Sequence, residues 1–287
     1  MTRDVAEPAI RMSRVELRVE DVARSADWYR RAAGLEPREV SQEAGALVSP
    51  GRGETLVALR RATAPGPSPR RAAGLFHTAF LYPARPQLGA ALRRIAEGRV
   101  PLTGASDHLA SEALYLDDPD ALGIELYADR PRETWPKDPS GRYVLDTLPL
   151  DLQDVLSEDE PADGESDGVE VGHVHLKVAD LGAAVRFWTE AIGMAPTAEI
   201  PRAGFVSTGG YHHHIGVNTW FSEGAELEPA DGLGLDAVVA AVAGDPGLEG
   251  ARARLEAAGA PVESENGSLA TRTPDGVRVV LEPDSRG

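Results

Sequence analysis

The clearest pattern of hydrophobic and polar positions in the chain lies between residues 173 and 196. Three apolar residues alternate there with three polar ones, in the order His173, Val174, His175, Leu176, Lys177, Val178. This period of two predicts a β-strand with one apolar and one polar face. Asp180 follows at the position of a helix N-cap, and apolar residues then recur at helical spacing until Gly193. The segment therefore predicts a strand followed by an amphipathic helix.

The same pattern occurs in the first half of the chain, where residues 15–37 match residues 174–196. The offset is constant, since 174 − 15 = 159. The matched pairs include Val15 with Val174, Leu17 with Leu176, Asp21 with Asp180, Gly34 with Gly193 and Pro37 with Pro196. A long match at one fixed offset indicates an internal duplication.

Two further segments, residues 74–97 and 233–258, begin in the same way, and each leads into a later strand pattern. The sequence therefore predicts an α+β fold of four βαβββ modules, at residues 12–62, 74–130, 171–222 and 232–284. We expect an N-terminal domain over residues 1–150 and a C-terminal domain over residues 169–287, with two modules in each. Residues 151–168 are acidic and poor in apolar side chains after Leu156, which is typical of a linker, and residues 61–71 form a looser connection between modules one and two.

Composition narrows the classes of partner. The 287 residues suffice for two domains, and 29 basic against 46 acidic residues give a net charge of −17. An isoelectric point near 4.8 argues against nucleic acid and against an anionic membrane surface as the main partner. No apolar run reaches the roughly 18 residues of a membrane helix, and the N-terminus lacks the apolar stretch of a secretory signal. We therefore expect a cytoplasmic protein.

The chain has no cysteine, so any bound metal must be held by histidines and carboxylates. His77 lies in the first predicted strand of module two, Glu125 in the last strand of that module, and His173 in the first strand of module three. Two histidines and one carboxylate on one concave surface form the facial-triad pattern. Such a triad suits Fe(II), Mn(II), Ni(II) or Zn(II) and leaves open positions for a substrate and O2.

Three consecutive histidines begin another predicted strand, at residues 212–218. If Ile215 and Val217 pack against the helices, strand alternation places His212 and His214 on the opposite face. His214 is therefore favoured as the histidine that faces the site, and His212 and His213 remain competitors.

These features resemble the vicinal oxygen chelate superfamily, which includes glyoxalase I, bleomycin-resistance proteins and extradiol ring-cleaving dioxygenases. The resemblance covers residues 12–284. Two phrases, GASDHLASEALYLDDPDALGIELYADRP at residues 104–131 and GGYHHHIGVNTW at residues 209–220, are similar to the catechol 2,3-dioxygenase branch. The resemblance implies two glyoxalase-like half-barrel domains and an iron-dependent enzyme that cleaves a catechol-type diol with O2.

The resemblance also implies a role for each candidate residue. His77, Glu125 and His173 match the iron ligands of extradiol enzymes. His214 is the best match to the histidine that moves a proton near bound O2. Tyr115 and His108 match the residues that contact the substrate hydroxyls. The implied partners are a small aromatic substrate and O2, and an oligomer of identical chains is compatible with this picture.

The chain departs from the extradiol pattern because neither half holds a complete ligand set. Module one has Arg14 where the repeat places His173, and module four has Asp236 at the place of His77 and Val280 near that of Glu125. The set is complete only if module two pairs with module three. Modules one and four would then form a second site without a metal, lined by Arg14 and Asp236. Pairing of these two modules between the two chains of a dimer would complete the ligand set equally well.

Three other functions remain open. A glyoxalase-type metal isomerase or transferase generally uses a second carboxylate, but no acidic residue lies between Val206 and Phe221. A bleomycin-resistance-like binding protein needs an apolar pocket and no metal triad. If module one pairs with module two, the chain would be a degenerate enzyme that has lost its activity, because Arg14 would then occupy a ligand position.

Overall fold

The computed structural model describes residues 9–64, 66, 71–159, 164, 166–243 and 247–286. Parts of the predicted connection (65 and 67–70) and of the predicted linker (160–163 and 165) lie outside the described residues. Within the linker, residues Leu152–Leu156 form a short helix whose Val155 is buried.

Strands of modules two and three form one nine-stranded sheet, in the order β11-β12-β13-β10-β5-β8-β7-β6-β9. The strands are β5 (Gly74–Tyr82), β6 (Gly104–Asp107), β7 (Ser111–Asp117), β8 (Gly123–Asp129), β9 (Leu148–Pro149), β10 (Glu170–Lys177), β11 (Ala195–Ile200), β12 (Ala203–Ser207) and β13 (Ile215–Asn218). The two modules meet where β10 pairs with β5 in antiparallel register.

Strands of modules one and four form an eight-stranded sheet, in the order β15-β16-β17-β14-β1-β4-β3-β2. The strands are β1 (Ile10–Val19), β2 (Glu36–Arg38), β3 (Ala44–Val48), β4 (Thr55–Arg61), β14 (Gly234–Val242), β15 (Glu263–Glu265), β16 (Ser268–Arg272) and β17 (Arg278–Pro283). Each sheet therefore combines one module from each half of the chain. The domains that we expect at residues 1–150 and 169–287 are the two halves of the duplicated sequence. Each sheet, in contrast, contains strands from both halves.

In the described part of the chain, five α-helices accompany the sheets: α1 (Val22–Ala33), α2 (Arg85–Glu97), α3 (Leu152–Leu156), α4 (Leu181–Arg186) and α5 (Gly247–Ala257). The duplicated N-caps act as predicted, since the side chains of Asp21 and Asp180 accept hydrogen bonds from the backbone N–H of Arg24 and Ala183. The helix that begins at α4 changes to a π-helical turn at Phe187–Ala191. Among the described helices, none is long and apolar enough to cross a membrane.

The apolar residues of the alternating pattern around β10 are buried in the core, as predicted. Val174, Leu176 and Val178 are at most 3% exposed and belong to the main hydrophobic core, together with the helix residue Trp188. Burial of these apolar side chains fixes which face of the strand the helices cover. The histidines of β10 therefore point to the other face of the sheet. The predicted α+β fold of strand–helix–strand modules is confirmed.

Candidate metal centre

Three neighbouring strands at the middle of the nine-stranded sheet bring His77, Glu125 and His173 together. β5 carries His77 and lies between β10, which carries His173, and β8, which carries Glu125. One ligand atom from each side chain lies within 4.8 Å of the other two. His77 Nε2 is 2.9 Å and His173 Nε2 is 3.2 Å from Glu125 Oε2. The complete set thus forms within one chain, across the junction of modules two and three.

The chemistry of these three side chains fits a divalent transition metal. All three are buried, with exposed fractions of 6% for His77, 2% for Glu125 and 1% for His173. His77 Nε2 lies close to Glu125, yet it has no hydrogen-bond partner, as is also true of His173 Nδ1. Buried polar atoms without partners are costly, and a bound cation would satisfy the ring nitrogen that faces the carboxylate. Two imidazoles and one carboxylate are a ligand set for Fe(II), Mn(II), Ni(II) or Zn(II).

The charge states of the triad also suit a metal. Burial lowers the pKa of His173 to about 4, so its imidazole is neutral at pH 7. Burial opposes ionisation of Glu125, but the two neighbouring imidazoles hold the pKa of its carboxyl well below its ordinary value. Neutral imidazole and ionised carboxylate are the forms that bind a metal ion.

A β-bulge precedes each histidine of the triad. In the pairing of β5 with β10, His77 is opposite His175 and Leu75 is opposite Leu176, which leaves Phe76 as an extra residue. A second register shift leaves Gly172 extra immediately before His173. A Cβ at Gly172 would lie 1.8 Å from the hydroxyl of Tyr127, so this position requires glycine. Bulges turn side chains out of strict alternation and are common beside active sites.

The triad lines a cavity of about 620 Å³. Much of its wall is apolar, formed by Phe76, Leu116, Leu145, Ile200, Pro201, Phe205 and Trp220. The cavity wall formed by the described residues contains three acidic side chains, Asp117, Glu125 and Asp146, and no lysine or arginine. Such a cavity suits a neutral aromatic molecule.

His108 and Tyr115 form a hydrogen-bonded pair at this cavity. His108 Nδ1 is 2.6 Å from the backbone carbonyl oxygen of Asp146, and His108 Nε2 is 2.6 Å from the Tyr115 hydroxyl. A carbonyl oxygen only accepts, so Nδ1 carries a proton, and in a neutral ring Nε2 then accepts from the tyrosine. Burial and the nearby charge of Glu125 raise the pKa of Tyr115 well above its ordinary value, so the phenol stays protonated. Both predicted diol-contacting residues therefore line the cavity that contains the triad.

The three consecutive histidines point in different directions. The His213 ring lies 4.1 Å from the His173 ring, measured between centroids, and lines the cavity, as does His212. His214 instead lines a separate cavity of about 290 Å³ between the two sheets, and its Nδ1 lies 2.9 Å from Ser207 Oγ. The prediction that the His214 side chain faces the triad is therefore wrong, because this side chain lines the other cavity. The regular strand begins only at Ile215, so alternation does not extend back to His214.

Sequence reasoning missed two residues near the triad. His175 is 4% exposed, its ring centroid is 5.0 Å from that of His77, and its Nε2 is 3.1 Å from Asn218 Nδ2. Its place in the polar row of β10 was the available signal. Asp129 Oδ1 is 2.9 Å from His212 Nε2, a contact between distant segments that no local pattern indicates.

The corresponding place in the eight-stranded sheet holds ion pairs. Arg14, the counterpart of His173, lies 2.8 Å from Glu282. Ala237 pairs with Glu16 in the same way that His77 pairs with His175. Asp236 is the extra residue of a β-bulge in this strand pair. Its carboxylate forms an ion pair with Arg18 at 3.0 Å. Asp236 therefore corresponds to Phe76, one place from the predicted counterpart of His77. Val280 pairs with Val239 and corresponds to Glu125, as predicted.

Comparison with known proteins places this architecture in a family. The sequence profile of the Glyoxalase/Bleomycin resistance protein/Dioxygenase superfamily matches residues 11–126 and 170–281. A catechol-2,3-dioxygenase of Bacillus subtilis (strain 168) is 35% identical over 263 residues, which cover 90% of this chain and 92% of the relative. This match indicates a metal-dependent oxidoreductase.

Solved structures share the fold at low sequence identity. A provisionally named dioxygenase from Bacillus subtilis subsp. subtilis str. 168 aligns with a TM-score of 0.66 and 11% identity, over 98% of this chain and 87% of that one. Glyoxalase I from Zea mays aligns with a TM-score of 0.59 and 16% identity, over 97% and 94%. Enzymes of two different names thus share this architecture. With the two profile matches and the 35% identical relative, these findings show that the chain belongs to the Glyoxalase/Bleomycin resistance protein/Dioxygenase superfamily.

Proposed function

We propose that the chain is an extradiol ring-cleaving dioxygenase that acts on a catechol-type diol with O2. The observation that carries the proposal is the position of the His77–Glu125–His173 triad in the wall of a largely apolar cavity that the His108–Tyr115 pair also lines. The curated relative named catechol-2,3-dioxygenase supports the same activity.

The triad would hold one Fe(II) ion through two imidazole nitrogens and the Glu125 carboxylate. The same ligand set is compatible with Mn(II), Ni(II) or Zn(II). When bound, iron supplies acidification of the diol hydroxyls and a path for electrons between the aromatic ring and O2.

The chain's own residues orient the diol and move its protons. Tyr115 donates to His108 Nε2, and this pair can bond one diol oxygen, while the apolar wall holds the ring and excludes water. His213 lies beside His173 and can accept a proton from the second hydroxyl at a ring nitrogen, so that an O–H bond breaks and an N–H bond forms. The ring bond next to the diol is cleaved, both oxygen atoms of O2 enter the product, and no external reductant is consumed.

The glyoxalase-type alternative has less support. Such enzymes generally use a second carboxylate, and among the described residues Glu125 alone offers a carboxylate oxygen to the ligand cluster. A binding protein without metal would not need three buried ligand atoms that converge within 4.8 Å of one another.

The test is an anaerobic preparation loaded with Fe(II) and then mixed with catechol and 18O2. The proposal predicts O2 uptake and a yellow semialdehyde that contains both labelled atoms. A colourless dicarboxylic acid, which arises from cleavage between the two hydroxyl-bearing carbons, would contradict the extradiol assignment. Absence of O2 uptake with several catechols would contradict dioxygenase activity altogether.

A further inference from the structure

A chain of two short contacts connects a partly exposed carboxylate to the cavity that contains the triad. Asp129 Oδ1 is 2.9 Å from His212 Nε2, and His212 Nδ1 is 2.7 Å from His213 Nδ1. The side chain of Asp129 is 22% exposed, whereas that of His212 is 1% exposed. The contacts therefore lead from the protein surface through a buried ring to His213.

When both rings are neutral, these contacts determine which ring nitrogens carry the protons. A carboxylate only accepts hydrogen bonds, so His212 Nε2 must carry a proton toward Asp129. A neutral His212 then has a bare Nδ1, which can only accept. His213 Nδ1 must therefore donate, and the remaining ring nitrogen of His213, Nε2, is left without a proton.

We propose that Asp129 and His212 are positioning residues that hold His213 as the Nδ1–H tautomer, with Nε2 free to accept a proton in the cavity. The inference rests on the proposed function, in which His213 receives a proton from the diol. The proposed role of Asp129 and His212 is exerted through His213 and not by contact with the triad.

The surroundings keep the arrangement in place. Asp129 is on the same face of β8 as Glu125, four residues later, so one strand delivers both a candidate ligand and the carboxylate that sets the tautomer. The His212 ring packs against the rings of Tyr211 and Trp135, at ring-centroid distances of 4.1 and 5.0 Å. A ring held in this way cannot rotate to exchange its two nitrogens without disturbing its neighbours.

The first test reads the tautomer directly and needs neither iron nor substrate. The full chain, labelled with 15N-histidine, is studied by long-range 1H–15N correlation spectra without metal and with Zn²⁺ as a diamagnetic probe, and His213→Gln identifies the His213 signals. We expect Nδ1 of His213 to be protonated and Nε2 to be bare. In Asp129→Ala and His212→Phe, which each remove one link, both tautomers should be populated. A protonated Nε2 in the unsubstituted protein, or an unchanged tautomer in both variants, would overturn the inference.

The second test separates positioning from simple structural support. Asp129→Ala and His212→Phe are expected to lower kcat about 10-fold or more while KM changes little, because diol binding does not require the tautomer. Asp236→Ala is the matched control, since Asp236 has a similar exposure of 25% and lies in the other sheet. This control should lose stability without a change in kcat or in the His213 spectrum. Equal kcat in all variants would overturn the inference.

The two tests also separate this inference from the proposed function. A protein with the expected His213 tautomer but no ring-cleaving activity would contradict the dioxygenase proposal and leave the tautomer assignment intact. An active dioxygenase whose His213 tautomer ignores Asp129 would contradict the positioning role alone.

Discussion

His173 Nε2 lies 3.2 Å from Glu125 Oε2, although the two residues belong to different halves of the duplicated chain. The contact exists because β10 and β8 flank β5 in one sheet. Each half contributes ligands that the other lacks, so the candidate centre depends on the junction between modules two and three. The equivalent junction of modules one and four carries Arg14 and Val280 at ligand positions instead.

Removal of the Tyr115 hydroxyl should impair turnover while metal binding persists. In Tyr115→Phe, His108 Nε2 loses the donor at 2.6 Å, so the pair no longer offers an ordered contact to the diol. We expect kcat/KM to fall about 10-fold or more, as for loss of a buried hydrogen bond in an active site, with unchanged metal content. Steady-state kinetics with catechol measure this effect. Tyr143→Phe, which removes a hydroxyl bonded to Gly210 outside the triad, is the control.

Negatively charged catechols should be poor substrates. The described wall of the cavity has no lysine or arginine, and it includes the carboxyl side chains of Asp117 and Asp146. We expect kcat/KM for 3,4-dihydroxybenzoate to be about 10-fold or more below that for 4-methylcatechol, a neutral molecule of similar size. Equal values for the two compounds, measured at one ionic strength, would contradict this description of the cavity.

Asp118 should make folding stability depend on pH. Burial raises the pKa of this carboxyl to about 7, far above its value in an unfolded chain. Between the unfolded and folded pKa values the native state binds more protons, so stability falls as pH rises from about 4 to 7, by at most about 4 kcal/mol. Asp118→Asn keeps an oxygen to accept from the backbone N–H of Asp120 and Leu122. Denaturant unfolding should show the variant gaining stability over the unsubstituted protein between pH 5 and 8, and a constant difference would contradict the assignment.

Lys177 and Glu228 should behave as a buried ion pair. Their charged atoms lie 3.5 Å apart at exposed fractions of 6% and 3%, and Glu228 lies against the backbone of Gly74 and Gly234. Lys177→Met should destabilise the protein by about 3–5 kcal/mol, because the Glu228 carboxylate then stays buried without its lysine partner. Adding Glu228→Gln should recover much of this loss. A double-mutant cycle in urea measures the coupling, and additive effects would show that the pair is independent.

The sequence could predict the modules and the triad because both depend on local and repeated patterns. The alternation around His173 identified the buried face of β10, and the duplicated Asp21 and Asp180 marked two helix starts. The incomplete ligand sets of the two halves made the pairing of module two with module three one of the arrangements that the sequence left open. These features require only strand periodicity and the chemistry of metal ligands.

Other features depend on backbone irregularities that periodicity does not encode. The backbone before Ile215 is not a regular strand, so alternation assigned His214 to the cavity where His213 lies. A one-residue bulge made Asp236 correspond to Phe76, although counting along the repeat aligned it with His77. The contact of Asp129 with His212 joins residues 83 positions apart and appears only in three dimensions.

Metal content per chain is the most direct measurement of the central claim. Chains loaded with Fe(II) under anaerobic conditions and then desalted would be analysed by elemental mass spectrometry for the unsubstituted protein, His77→Ala and His173→Ala. His108→Ala, which alters the same cavity but no candidate ligand, is the control. The account predicts one iron per chain in the unsubstituted protein and the control, and almost none in either ligand variant. An unsubstituted protein without iron, or a ligand variant that retains one iron per chain, would contradict it.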